Sequence, residues 1–260
     1  MVISSQRLKL KNKLRKCERL FGGWISFYHP SIVETFINAD FDFIAIDMEH
    51  SSINVEQAQR IIAASQSGNI PCFPRPVSHS NDWIKPLLES GADGIIIQMV
   101  NKPKDVEDLI NDIKYPPIGK RSYGVNRAQN YGFDFEKYVD VWNKESIFII
   151  QIESREGVEN INSLLSFDEI DGVMIGPLDI SGSYGQPGKL THPDVVNAIN
   201  VVIDSCKKYN KSCGTQIADP NIKNVSQLFN DDYNFAILGS DLFALYNWTN
   251  NMNTIIKKFK

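Results

Sequence analysis

The chain has 260 residues, 42% hydrophobic and 22% charged, an ordinary balance for a single large α/β domain. A net charge of −4 gives no general attraction to nucleic acid, and no apolar run approaches the ~20 residues that cross a bilayer. Cys17, Cys72, Cys206 and Cys213 show neither CxxC spacing nor a disulfide-dense pattern, which speaks against structural zinc and for a reducing compartment.

Residues 1–20 carry the chain's basic stretch. Arg7, Lys9, Lys11, Lys13, Arg15, Lys16 and Arg19 surround Leu8, Leu10, Leu14 and Leu20, the pattern of a basic amphipathic helix. A membrane-surface helix or a nucleic-acid arm would suit it; the plainer reading is a first helix packed on the domain with its charges in water. The apolar centre and small-residue cleavage site of a secretory signal are missing from these residues, so the cytoplasm is the expected compartment.

Short apolar runs then alternate with segments of helical period. The strand candidates are Gly23–Phe27, Phe43–Asp47, Cys72–Pro74, Gly94–Met99, Ile147–Ile152, Gly172–Ile175, Ser212–Gln216 and Phe235–Leu238, short and evenly apolar as strands buried on both faces are. Helices are predicted at Ser31–Asn38, Val55–Ser67, Asp82–Ser90, Pro103–Ile113, Gly157–Leu165, Pro193–Tyr209, Asn221–Phe229 and Leu242–Phe259, with Asn54, Asn81, Pro103 and Pro193 as start signals. Eight such units predict one (β/α)8 TIM barrel spanning residues 1–260. An open doubly wound sheet is the alternative, disfavoured because no GxGxxG follows the first strand. Residues 114–144, with Pro116, Pro117, Gly119, Gly124 and Gly132, read as a long loop that serves as a lid or an interface insertion.

A parallel barrel does its chemistry where its strands end, and polar residues gather there. Asp47, Glu49 and His50 follow the second strand, Arg75 the third, and Gln98 closes the fourth; Gln151 and Glu153 end the fifth, and Asp179 follows the sixth through Gly176-Pro177-Leu178. Gln151 and Glu153 are two apart and so share a face. Glu153 and Asp179, from neighbouring strands, offer hard oxygen ligands suited to Mg2+ or Mn2+, with Co2+ as a substitute and with water and substrate completing the shell. Purely structural roles stay open: Glu153 as partner of Arg155 or a helix cap, Asp179 as the cap of a turn. His29 and His192 precede prolines and read as turn residues, and His79 lies in a polar loop. His50 stands at the barrel mouth, where an imidazole can exchange protons or simply be structural. Arg75, between Pro74 and Pro76, offers a fixed guanidinium for a carboxylate or a developing enolate, or else an ion pair.

Taken in order, Phe21–Ser26, Phe41–His50, Pro74–Pro76, Ile84–Ala92, Tyr115–Arg121, Gln151–Gly157 and Ile175–Ser181 resemble the HpcH/HpaI aldolase family, metal-dependent (class II) aldolases of 2-oxo acids, across nearly the whole chain. The resemblance implies a barrel of the phosphoenolpyruvate/pyruvate type whose last helix is exchanged between subunits of a homo-oligomer, a hexamer or another trimer-based assembly. It implies a lyase that cleaves or forms the C3–C4 bond of a 4-hydroxy-2-oxo acid, giving pyruvate enolate and an aldehyde. Glu153 and Asp179 would then hold the metal, Gln151 would contact the substrate, and the backbone at Leu178 and Asp179 would bind its carboxylate. Arg75 would stabilise the enolate and His50 act as base through a water on the metal, with Asp47 and Glu49 orienting it. Glu89 stands where the family usually has the Asp that raises the basicity of this histidine; Gln98 replaces a usual Pro and Leu178 a small Ala. Those departures keep rivals open: a decarboxylase or CoA-ester lyase of the same superfamily, or a barrel that has lost turnover and serves in binding or assembly.

Overall fold

The computed structural model describes residues 4–260. Eight parallel strands, β1 (Leu20–Ile25), β2 (Phe43–Asp47), β3 (Cys72–Arg75), β4 (Gly94–Ile97), β5 (Ile147–Ile152), β6 (Gly172–Ile175), β7 (Ser212–Ile217) and β8 (Phe235–Leu238), bond in the order β3-β2-β1-β8-β7-β6-β5-β4. Helix α1 (Ser4–Arg15) precedes them. The crossovers carry α2 (Pro30–Ile37), α3 (Val55–Ser67), α4 (Asn81–Glu89), α5 (Pro103–Ile113) with α6 (Phe135–Glu145), α7 (Arg155–Glu159) with α8 (Ile161–Leu164), α9 (Pro177–Ser183) with α10 (Pro193–Tyr209), and α11 (Ile222–Asn230), and α12 (Asp241–Phe259) follows β8. This is the TIM barrel that the strand rhythm predicts.

Local chemistry explains the boundaries. Every residue of β4 and β5 is buried, as strands covered on both faces require. Asn54 starts α3 with a reciprocal capping box to Gln57, and His29 and His192, expected as turn residues, cap α2 and α10 through Nδ1. The seam between β3 and β4 is the one place where the ladder thins. Arg75 O faces β2, accepting from Met48 N at 3.0 Å, while Cys72 O faces β4, accepting from Asp93 N at 3.0 Å. Pro74, two residues beyond Cys72, therefore faces β4 with no N–H to give. Asp93 strengthens the seam by accepting from Cys72 N with Oδ2 at 3.1 Å.

Two apolar layers result. Ile95, Ile97, Ile150 and Val173 pack outward under the helices, whereas Trp24, Phe43, Phe73, Ile96, Ile149, Met174 and Phe235 fill the barrel. Helix α1 closes the floor of that inner layer with Leu10 and Leu14. Here the picture of a helix with all its charges in water fails. Arg7 and Lys11 are only 5% and 3% exposed. Lys11 reaches Asp171 at 2.6 Å and Arg7 reaches Glu145 at 2.8 Å. A charged side chain can turn inward when the barrel's own carboxylates wait beneath it. Of the expected 1–20 helix, residues 1–3 lie outside the described residues, 16–19 form the turn into β1, and Leu20 is the first residue of that strand.

The 114–144 segment is not a structureless loop. Phe135, Tyr138, Val139 and Trp142 follow helical spacing and form α6, whose Tyr138 and Trp142 are buried, and Arg127–Gly132 makes short turns on either side of a kink at Gln129, Asn130 and Tyr131.

Candidate active site

Inward parity at the strand ends sets the site. Asp47 follows Phe43 and Ala45, Arg75 follows Phe73, and Gln151 and Glu153 follow Ile147 and Ile149, so each continues a row of barrel-filling side chains into the mouth. Arg75 is the hub. Its Nη2 donates to Asp47 Oδ1 at 2.8 Å and its Nη1 to Gln151 Oε1 at 3.2 Å. Nη1 also lies 3.0 Å from Glu49 Oε2, an ion pair without hydrogen-bond alignment. The guanidinium carbon sits 4.8 Å from the centre of the Trp24 ring, and Trp24 Nε1 donates to Asp47 Oδ2 at 3.4 Å. A planar fork held by three partners and a ring face has one orientation.

Asp47 Oδ1 also accepts the His50 backbone N–H at 3.1 Å, tying the loop after β2 to the same hub. The His50 ring itself is open, with 69% of its side chain exposed and Nε2 at 3.7 Å from Glu49 Oε2. Glu153 is the buried carboxylate. Its Oε1 accepts from Met99 N at 2.7 Å and its Oε2 from Gln151 Nε2 at 2.6 Å. Met99 adopts φ 50 to present that N–H, which ends β4 at Ile97 rather than at the predicted Met99. Gly176 is required on the opposite side: a Cβ there would stand 2.8 Å from Glu153 Cβ and 3.3 Å from Gln151 Nε2. Asp179, in the first turn of α9, and Leu178, 63% exposed, form the outer rim.

Charge at the mouth does not balance. Burial pushes the Glu153 carboxyl up to about 7, against the pull of Met99 N–H, and nearby Glu49 and Asp179 raise it further. Glu49 is also raised, first by burial. Asp47 and Glu49 pair with the Arg75 guanidinium, which also acts on Glu153, while Asp179 adds a further negative charge near Glu49 and Glu153. Oxygen donors carrying excess negative charge fit a hard divalent cation. Among the described residues no three His, Cys, Asp or Glu side chains form a preformed cage; Glu153 and its acid neighbour Asp179 are carboxylates that could contribute to such a site, with water and substrate supplying the other ligands.

Glu89 stands apart from this hub. At the end of α4 its Oε1 accepts from Arg121 Nη2 at 2.8 Å and its Oε2 from Gln129 Nε2 at 3.1 Å, so within the chain its bonds run to the 114–144 segment rather than to His50. The site roles absent from the sequence reading are those of Trp24, Met99 and Gly176, the last of which reads there only as part of the turn into Asp179. Trp24 was legible as an inward position of the first strand; the roles of Met99 N–H and Gly176 are backbone properties with no side-chain signature.

An acid-rich mouth organised around one immobilised arginine stands at the strand ends where parallel barrels carry their chemistry. The chain belongs to the HpcH/HpaI aldolase/citrate lyase family, which it matches over residues 20–247. It is 33% identical over 213 residues to the hydroxypyruvate/pyruvate aldolase of Roseobacter denitrificans, covering 80% of this chain and 82% of the relative. It is 32% identical over 212 residues to the 2-keto-3-deoxy-L-rhamnonate aldolase of Klebsiella pneumoniae, covering 81% and 79%. In structure it superposes on an HpcH/HpaI aldolase/citrate lyase family protein from Burkholderia cenocepacia with a TM-score of 0.89 at 24% identity, over 96% and 99% of the two chains. The chain is accordingly a carbon–carbon lyase of the aldolase kind.

Proposed function

We propose that this mouth cleaves or forms the C3–C4 bond of a 4-hydroxy-2-oxo acid, with a pyruvate-type enolate on one side of the reaction and an aldehyde on the other, and that Glu153 and Asp179 hold Mg2+ or Mn2+, with Co2+ as a substitute. The carrying observation is Glu153: a buried carboxylate with a pKa of about 7, repelled by two acid neighbours, is the arrangement that a bound cation relieves. Such an ion supplies Lewis-acid polarisation of the 2-oxo group. The residues of the chain do the rest. Gln151, fixed between Arg75 and Glu153, positions the 2-oxo acid, and the free N–H groups of Leu178 and Asp179 at the start of α9 receive its carboxylate. Arg75 faces the oxygen on which charge builds as the C3–C4 bond breaks. His50, exposed at the rim with its loop anchored by Asp47 and with Glu49 nearby, takes the proton from the 4-hydroxyl during cleavage and returns one to the alkoxide during synthesis. Within one chain, Glu89 would act on His50 only if its bonds to Arg121 and Gln129 rearranged.

Pyruvate release from 4-hydroxy-2-oxo acids, with and without EDTA, tests the reading. Activity abolished by EDTA and restored by Mg2+ or Mn2+ supports it; full activity under thorough chelation refutes it.

The same reading carries a homo-oligomer, trimer-based or hexameric, assembled through exchange of α12. That helix leaves Leu245, Tyr246, Trp248, Ile256 and Phe259 exposed although its first residue is anchored, Asp241 accepting from Ser26 N and Phe27 N at 2.8 and 2.9 Å. The solution mass, by light scattering, decides this. We further assign the enzyme to the cytoplasm, with small molecules rather than nucleic acid or membrane as its partners. No helix among the described residues is long and apolar enough to cross a membrane.

A further inference from the structure

Gln98 is a buried polar side chain of the mouth that the reading above leaves without work. It follows Ile97 directly and keeps step with the barrel-filling Ile96, which turns it toward the interior. The β4–β5 register, Ile97 beside Ile150, sets Gln98 next to Gln151, the proposed substrate contact. Its backbone oxygen lies 2.6 Å from His79 Nε2, which pins the main chain there. The side chain is only 4% exposed, and its Oε1 is buried with no hydrogen-bond partner. Arg75 Nε is likewise buried and unbonded, so the two orphaned groups do not satisfy each other.

A buried amide oxygen left unpaired costs about 1–3 kcal/mol, and natural interiors rarely carry that cost without a use for it. Depth says what satisfies it. The solvent side of the mouth, where an aldehyde must enter, is rimmed by the exposed His50, Met99 and Leu178. Gln98 lies below that rim, level with Gln151, on the side that the proposed reading gives to the 2-oxo acid. We propose that Gln98 is a specificity-determining residue that reads a hydroxyl on C3 of the 2-oxo acid, so that the enzyme uses a 3-hydroxylated donor of the hydroxypyruvate kind ahead of pyruvate. The hydroxyl donates to Oε1; because a hydroxyl both donates and accepts, it pairs with the amide in either orientation. Pyruvate, with only hydrogen on C3, leaves the amide unsatisfied, and discrimination against a substrate that lacks the matching group is strong at buried polar positions.

This inference rests on the aldolase reading, and one set of assays separates the two. Hydroxypyruvate and pyruvate are each condensed with D-glyceraldehyde by the Mn2+-loaded enzyme, and kcat and KM are measured for both. The wild type is expected to show a KM for hydroxypyruvate at least tenfold below that for pyruvate. In Gln98→Met, close in volume, and in Gln98→Leu, the ratio of kcat/KM for hydroxypyruvate over pyruvate falls at least tenfold. A folded variant with an unmoved ratio overturns the assignment. So do equal KM values in the wild type, a result that needs no variant to fold. A wild type that condenses neither acid, and releases no pyruvate from 4-hydroxy-2-oxo acids, instead overturns the aldolase reading and this inference with it.

Discussion

The two ends of the barrel bury charge in opposite ways. At the floor, Asp171 sits among cations: Lys11 at 2.6 Å and Arg15 Nε at 2.9 Å, with Phe148 N donating at 3.0 Å. Arg7 bridges Glu145 at 2.8 Å and Asp93 at 3.6 Å, and lies over the rings of Trp142 and Tyr138. At the mouth, Asp47 and Glu49 share one arginine, and Glu153, with Glu49 and Asp179 as acid neighbours, is held by hydrogen-bond donors but has no ion pair of its own. Both regions are buried and rich in charge, so burial does not separate structure from function here. Neutralisation does. Charges that the fold pairs internally hold elements together, and charges that it leaves unbalanced await a ligand.

Substitutions at the two ends should therefore separate cleanly. Glu153→Gln keeps shape and removes charge; turnover is expected to fall at least about 10³-fold, about 4 kcal/mol of transition-state stabilisation, with the urea midpoint held or raised. A steady-state assay beside a denaturation curve checks both halves. Asp171→Ala is the mirror image. It strands Lys11 and Arg15, so stability should drop by about 3 kcal/mol while turnover per folded molecule is kept. Lost activity at full stability would break the comparison. Arg75→Lys sharpens it within the mouth, since an ammonium cannot span Asp47, Glu49 and Gln151 at once; kcat is expected to fall about 10²-fold, with a smaller change in KM.

The smallest effect belongs to the floor and depends on pH. Burial, then the nearby Lys11, lowers the Lys114 amine to about 7, while its Nζ donates to Ser146 Oγ at 2.6 Å. Between pH 7 and 10.5 the unfolded chain binds a proton at this lysine that the folded chain does not. Stability from this group thus rises with pH across that window, by at most about 1.4 kcal/mol per pH unit. Urea midpoints at pH 7.5 and 9 should diverge between wild type and Lys114→Met, with the wild type gaining; equal shifts would show that the amine stays protonated.

The comparison also explains what could be read from the sequence. Strands such as Phe43–Asp47 and Ile147–Ile152 were legible to the residue, because a run buried on both faces must be apolar throughout. The polar residues that break those runs stood out for the same reason, and Asp47, Arg75, Gln151 and Glu153 do converge on one hub. Helix α6 is masked in the sequence because the prolines and glycines before it read as loop and outweigh the spacing of Phe135, Tyr138, Val139 and Trp142. Burial of Arg7 and Lys11 was invisible in principle: their partners Glu145 and Asp171 lie 138 and 160 residues away, and a basic run looks the same wet or dry. The N–H of Met99 and the bare Cα of Gly176 carry no chemical label at all.

Titration of the enzyme with Mn2+, followed by calorimetry at pH 7.5, tests the unbalanced mouth most directly. One site per chain is expected in the wild type and in folded Asp171→Ala, and its loss in Glu153→Gln. Equal Mn2+ affinity in Glu153→Gln and the wild type would contradict the account.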